Sequence, residues 1–151
     1  MVKYADRGKD AEEQVEKILN LLVLRADTAF YRLPDAKAGS RKPTLSDYLM
    51  VHKGTMFLLE VKEVAHDYRL PHGNFEKDQV ARMQRFKLAG AQTHVLIYHS
   101  KIDKWRSIEL EFFRTRVGGS WDLRDFPLQD LSEILKEGET YTSVLVTPKP
   151  L

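Results

Sequence analysis

Apolar residues recur along this chain at two periods, and the periods alternate. Ala11, Val15, Ile18, Leu19 and Leu22 form one stripe at helical spacing, which predicts a first helix over residues 10–24. TAFYRL, residues 28–33, predicts a strand. DAKAGSRKPT, residues 35–44, is polar and basic and carries Gly39 and Pro43, so a loop is expected there. SDYLMVHKGTMFLLEVK, residues 46–62, places two apolar runs around Lys53-Gly54 and predicts a β-hairpin. A second helix is expected over 75–89, with Asn74 as N-cap, Glu76 and Asp78 in the first turn and Gly90 beyond the end. THVLIYH (93–99) and WRSIELEFF (105–113) read as strands. PLQDLSEILKEG (127–138) reads as a helix that starts at a proline and stops before Gly138, and YTSVLVT (141–147) as a last strand. That order predicts a mixed sheet with helices packed on it, an α/β arrangement.

Composition narrows the class. A chain of 151 residues is expected to form one domain over 1–151, long enough for a real core. It is 42% hydrophobic and 30% charged, which suits a globular protein. No apolar run reaches the ~20 residues that span a bilayer, and MVKYADRGKDAEE is too charged for a secretory signal. The chain has no cysteine, which excludes disulfides and thiolate metal sites and fits a reducing interior, so a cytoplasmic location is expected. A formal net charge of +2 allows nucleic-acid binding where the basic residues cluster.

The hairpin carries three charges that its apolar pattern does not call for: Asp47, Glu60 and Lys62. A two-residue Lys53-Gly54 loop pairs His52 with Thr55, and the antiparallel register then sets Asp47 opposite Glu60, with their Cβ atoms about 4.5–5.5 Å apart. Lys62, two positions on, shares that face. Leu45, Leu49, Met56 and Leu58 on the same face screen the two carboxylates poorly. A bound divalent cation resolves the conflict, because hard oxygen ligands at this separation can share one ion. The lysine beside it can orient a water or offset charge in a phosphoryl transition state. The bland alternative is a partly solvated strand end with a Glu/Lys pair.

Asp47, Glu60 and Lys62 also resemble the signature of the PD-(D/E)xK nuclease superfamily. Other stretches extend the likeness. RGKDAEEQVEKIL (7–19) resembles the opening of archaeal-type Holliday junction resolvases, with the family glutamate at Glu12. FYRL (30–33) resembles the strand that enters the family's catalytic loop, and SDYLMVHKGTMFLLEVKEV its metal-binding hairpin. Residues 75–99 and 104–112 resemble the helix and two strands that follow. Position 46 is Ser where the superfamily signature has Pro, the loop 35–44 is longer and more basic than the archaeal form, and the Gln-x-x-x-Tyr element of exonuclease relatives is absent, Gln79 being followed by Met83.

The resemblance implies a restriction-endonuclease-like fold and a metal-dependent, structure-selective DNA endonuclease acting on four-way junctions as a homodimer. It implies Mg2+, with Mn2+ as the alternative, bound by Asp47, Glu60 and the Val61 carbonyl. Glu12 would be an outer or second-metal ligand, Lys62 would assist the attacking water, and Ser40 would be the loop serine that helps catalysis. Arg7, Lys9, Arg32, Lys37, Arg41 and Lys42 would form a phosphate-contacting rim. Another nuclease on the same core, of restriction or repair type, and a catalytically silent DNA-binding module are the alternatives. His66, His72, His94 and His99 lack metal spacing and read as structural or surface residues. Trp105, Phe112, Phe113, Trp121 and Phe126 read as core or subunit interface.

Overall fold

The structure is a computed structural model that describes residues 7–34, 45–76 and 78–135. Lys37, Ser40, Arg41, Lys42, the basic loop and the expected strand 141–147 lie outside the described residues, and so does the side chain of Arg7. Among the described residues the element order is α1 (Arg7–Leu22), β1 (Thr28–Arg32), β2 (Tyr48–His52), β3 (Thr55–Val64), β4 (Arg69–Pro71), α2 (Gln79–Leu88), β5 (Gln92–His99), β6 (Lys104–Glu109), β7 (Ser120–Asp122) and α3 (Leu131–Ile134).

Five strands form one sheet in the order β1-β2-β3-β5-β6. β3 is central, antiparallel to β2 and parallel to β5, so the sheet is mixed. The β2–β3 register pairs His52 with Thr55 and Tyr48 with Leu59, as the turn length predicts. Lys53 and Gly54 both take positive φ, 47° and 80°, the backbone of a type I′ turn, whose twist matches that of the strands.

Each face of the sheet is covered. The stripe Ala11, Val15, Leu19 and Leu22 of α1 is buried against Tyr48, Met50, Phe57 and Leu59, with Leu131 and Ile134 of α3 completing that core. On the other face, Val80 and Met83 of α2 pack on Leu58, Val95 and Ile97. Burying one such side chain contributes roughly 1.5–3 kcal/mol, so these two layers hold the sheet between helices. No helix among the described residues is long and apolar enough to cross a membrane.

The first helix, expected over 10–24, runs from Arg7 to Leu22, and later boundaries differ from the sequence pattern as well. The strand expected to run through residue 113 stops at Glu109 and becomes a 3-10 turn, Leu110–Arg114. Leu110 and Phe113, three apart, are its buried residues, which is the spacing that a threefold turn aligns. The second helix begins at Gln79 behind Asp78 at φ 70°, an αL position that Asp tolerates, while Asn74 ends a separate 3-10 turn. The third helix begins at Leu131, not at Pro127, because Gln129 exchanges backbone hydrogen bonds of 2.8 Å with Trp105 and keeps 127–129 extended. Asp130 and Glu133 then form a capping box. β4 and β7 pair as a small second sheet that the pattern did not reveal, since three residues carry too little periodicity.

The aromatic stretch is core. Trp105 is buried in the core on the α1 side, Phe113 and Trp121 in the core on the α2 side, and half-buried Phe112 and Phe126 pack against the latter, so core packing accounts for these rings.

Candidate active site

β3 is ten residues long and β2 five, so the antiparallel ladder ends at Tyr48↔Leu59. Beyond that point Asp47 stands where the next ladder partner would be. The Val61 N–H donates to Asp47 Oδ2 at 2.7 Å, and the Asp47 N–H donates to Glu60 Oε1 at 3.1 Å. Each carboxylate therefore closes the backbone edge that the other residue's strand leaves open. The sequence register placed these two side chains opposite each other, and the structure brings them together.

The Glu60 side chain is buried and Asp47 is half-buried with protein packed closely around it. Burial, and then the adjacent Glu60 carboxylate, hold the Asp47 carboxyl well above the usual carboxylate range; Glu12 adds to this, while the Val61 N–H and Lys62 oppose it. Lys62 lies on the same face. Its ammonium pairs with Glu60 Oε2 at 2.9 Å, donates to the Asn74 carbonyl and sits 4.7 Å from the centroid of the Phe75 ring. The 3-10 turn before α2 thus fixes the position of the lysine.

Glu12 is placed on α1 by the same packing that buries Ala11 and Val15. It pairs with Arg32 at 2.9 Å, and Arg32 reaches Glu16 at 3.8 Å. Arg32 is thereby tied to two carboxylates of α1, while Lys9 is exposed near the start of that helix. Among the described residues, no group of three or more His, Cys, Asp or Glu side chains is arranged to hold a metal ion. Asp47 and Glu60 are a pair, with Glu12 near enough to act on Asp47 through its charge.

Two neighbours were not visible in the sequence. Glu63 accepts a hydrogen bond from the Ala11 N–H at 3.2 Å and ties the first turns of α1 to β3. Arg106 is buried, donates to the Asp67 carbonyl at 2.7 Å and to His99 Nε2 at 2.9 Å, and its Nε donates to the Phe126 carbonyl at 3.0 Å. His99 Nδ1–H in turn donates to the His66 carbonyl at 2.6 Å. This network holds the bend after β3. Its members are far apart in sequence and share no spacing that could have exposed them.

A carboxylate pair with a fixed lysine stands at the open end of a hairpin, in a helix-flanked mixed sheet of the restriction-endonuclease-like fold class. The sequence profile of the Recombination protein U family (RecU) matches residues 15–136, a stretch that contains Asp47, Glu60 and Lys62 but not Glu12. The chain belongs to that family, which is a family of Holliday junction resolvases. Among solved structures the chain is similar to Hjc of Archaeoglobus fulgidus, a Holliday junction resolvase from an archaeal hyperthermophile. The TM-score is 0.55 at 22% identity, over 81% of this chain and 98% of that one, a likeness of fold. No curated protein sequence matches the chain.

Proposed function

We propose that this protein resolves four-way DNA junctions by metal-dependent phosphodiester hydrolysis at Asp47, Glu60 and Lys62. The observation that carries the reading is the crossed pair: Asp47 and Glu60 meet at the end of β2 with the Asp47 carboxyl raised by burial and by its neighbour. Two buried oxygen donors in like-charge conflict fit a hard divalent cation, Mg2+ or Mn2+, better than they fit an apolar strand. The N–H of Val61 points at Asp47, and both polar groups of an extended residue face the same strand edge, so the Val61 carbonyl is the third ligand we assign. Bound there, the ion would supply the positive charge that stabilises in-line displacement at phosphorus.

The chain's own residues do the rest. Lys62 has three N–H donors; Glu60 and the Asn74 carbonyl take two, and the third would serve the attacking water or a phosphate oxygen. Glu12, held by Arg32, acts from the outer side of Asp47. Ser40 would act from the basic loop, and Arg7, Lys9, Lys37, Arg41 and Lys42 would contact phosphates. Arg32 contributes by neutralising Glu12.

Junction resolution needs two cuts and the described residues hold one such carboxylate pair, so in this reading the acting species is a homodimer. The face for it is the outer part of the sheet beside α2. There Tyr31 and Val51 are 63% and 39% exposed, and Phe86 of α2 is 40% exposed beside half-buried Met56. Register puts Tyr31 against Leu49 and Val51 against Met56, so these side chains form one apolar surface. The functional test is a gel assay of junction, duplex, fork and single-stranded DNA with and without Mg2+. Paired cuts confined to the junction support resolution; equal cutting of duplex favours a restriction or repair nuclease; binding without cutting favours a silent module.

A further inference from the structure

Beyond Lys62, β3 runs to Val64, and the chain then bends through residues 65–68 into β4. Between this bend, β4 and the start of β7 lies a cleft of about 480 Å3, within the range of small-ligand sites. Val64, Ala65 and Pro71 give it apolar walls. His66, Arg69 and Ser120 give it a polar edge. Asn74 lines it too, and the Asn74 carbonyl holds the Lys62 ammonium, so the cleft and the proposed catalytic lysine share a wall.

The edge is preorganised. His66 Nδ1 accepts the backbone N–H of Tyr68 at 3.1 Å and of Arg69 at 3.0 Å. A ring nitrogen that accepts two hydrogen bonds carries no proton, so the ring proton is on Nε2, a fixed donor. The 3.3 Å approach of Asp67 to the same nitrogen is then proximity, not an ion pair. Arg69 lies 3.4 Å from Ser120 Oγ and 5.6 Å from the Tyr68 ring centroid. The Arg106–His99 network fastens the bend from beneath through the carbonyls of His66 and Asp67.

The occupant follows from this chemistry. The Glu63 carboxylate is taken by the Ala11 N–H, so Arg69 is the charged side chain at the edge, set between Ser120 and the Tyr68 ring. Apolar walls with donors and an acceptor along one side suit a planar heterocycle with a hydrogen-bonding edge. We propose that the cleft receives one unpaired nucleobase of the strand being cut, extruded at the branch point. The proposal rests on the junction-nuclease reading and adds the source of its structure selectivity. A base inside duplex must first be unstacked and unpaired, at a few kcal/mol; a base at a branch has already lost part of that stabilisation. Glu60 to Val64 is four residues of strand, about 13 Å, and a nucleic-acid strand advances about 3.4 Å per nucleotide. The base therefore lies within roughly four nucleotides of the scissile phosphate.

The test plugs the cleft. Gly119 lines it at an ordinary φ, and a Cβ built there meets nothing within 4 Å, so Gly119→Leu adds a bulky side chain at the cleft wall without backbone strain. Ala65→Leu fills it from the opposite wall and serves as an independent second variant. Four-way junctions carrying one 2-aminopurine at successive positions around the cut are mixed with protein in EDTA, and cleavage is assayed separately in Mg2+. Wild-type protein should raise the fluorescence at one position by about threefold or more, as for an unstacked base. Both variants should lose that rise and lose about tenfold of the junction-over-duplex cleavage preference, with duplex binding unchanged. A rise that persists in both plugged variants, or no rise at any position with a wild-type protein that cuts junctions, overturns the base-pocket proposal alone. A wild-type protein that cuts no junction overturns the nuclease reading and this proposal with it.

Discussion

Asp47 sits where its charge is least welcome in the metal-free protein, and that has a measurable consequence. Its carboxyl is raised by burial and by Glu60, so above the usual carboxylate range the folded state binds more protons than the unfolded chain. Stability without metal then falls as pH rises from the ordinary Asp range through the raised folded value. Asp47→Asn removes the conflict. In EDTA at pH 8 it should melt about 2–4 °C higher than wild type, and millimolar Mg2+ should narrow the gap by stabilising wild type alone. Equal melting curves in EDTA would mean that the pair carries no conflict. His94 behaves in the opposite sense. Burial, and then Lys87, lower its pKa to about 4, so between pH 6.5 and 4 the unfolded chain takes up a proton that the folded chain refuses. Stability should fall with acidification across that window, by up to roughly 3 kcal/mol from this site. His94→Gln should flatten that limb in urea titrations at pH 7 and 4.5; an unchanged limb would assign the loss to other groups. At this scale the sequence was informative where one strand register joins residues, as for Asp47, Glu60 and Lys62. It was silent on Glu63 and Arg106, and it gave His99 no partners, since these come from other elements.

The hairpin is the element that makes the site, because β2 begins one residue after Asp47 while β3 continues past the last ladder pair, Tyr48↔Leu59. Its register depends on the Lys53-Gly54 turn, where Lys53 holds φ 47°. Asn is better suited than Lys to that conformation, so Lys53→Asn should stabilise the protein by up to about 1 kcal/mol without shifting the register. Denaturant midpoints measure this, and destabilisation would contradict the turn type. The same hairpin was the most legible part of the chain, since strand alternation, a two-residue turn and a constant register can all be read locally. Element ends were less legible for a physical reason. The start of α3 is set by the Trp105–Gln129 bridge and the end of β6 by burial of Leu110 and Phe113, both tertiary effects that local periodicity does not carry. The β4–β7 pair, which shapes the proposed base cleft, depends on two segments about fifty residues apart finding each other.

For the molecule as a whole, the sheet and its covering helices were foreseeable from alternating periods and from the family likeness, whereas the face proposed for dimerisation was not. The aromatic rings from Trp105 to Phe126 pack inside, and the exposed apolar surface is instead the outer sheet face with Tyr31, Val51 and Phe86. Tyr31→Lys with Val51→Lys should therefore convert a dimer to a monomer in light scattering and lose paired cutting. A dimer that survives both substitutions would move the interface elsewhere. Whether the crossed carboxylate pair performs the cleavage is read by junction cleavage and junction binding of wild type, Asp47→Asn and Glu60→Gln, side by side in Mg2+. Wild type should make symmetric paired cuts, either variant should lose cutting by about a thousandfold or more, and both should retain or tighten binding, since negative charge facing phosphate has been removed. Wild-type cutting rates in either folded variant would contradict a role for the pair in cleavage.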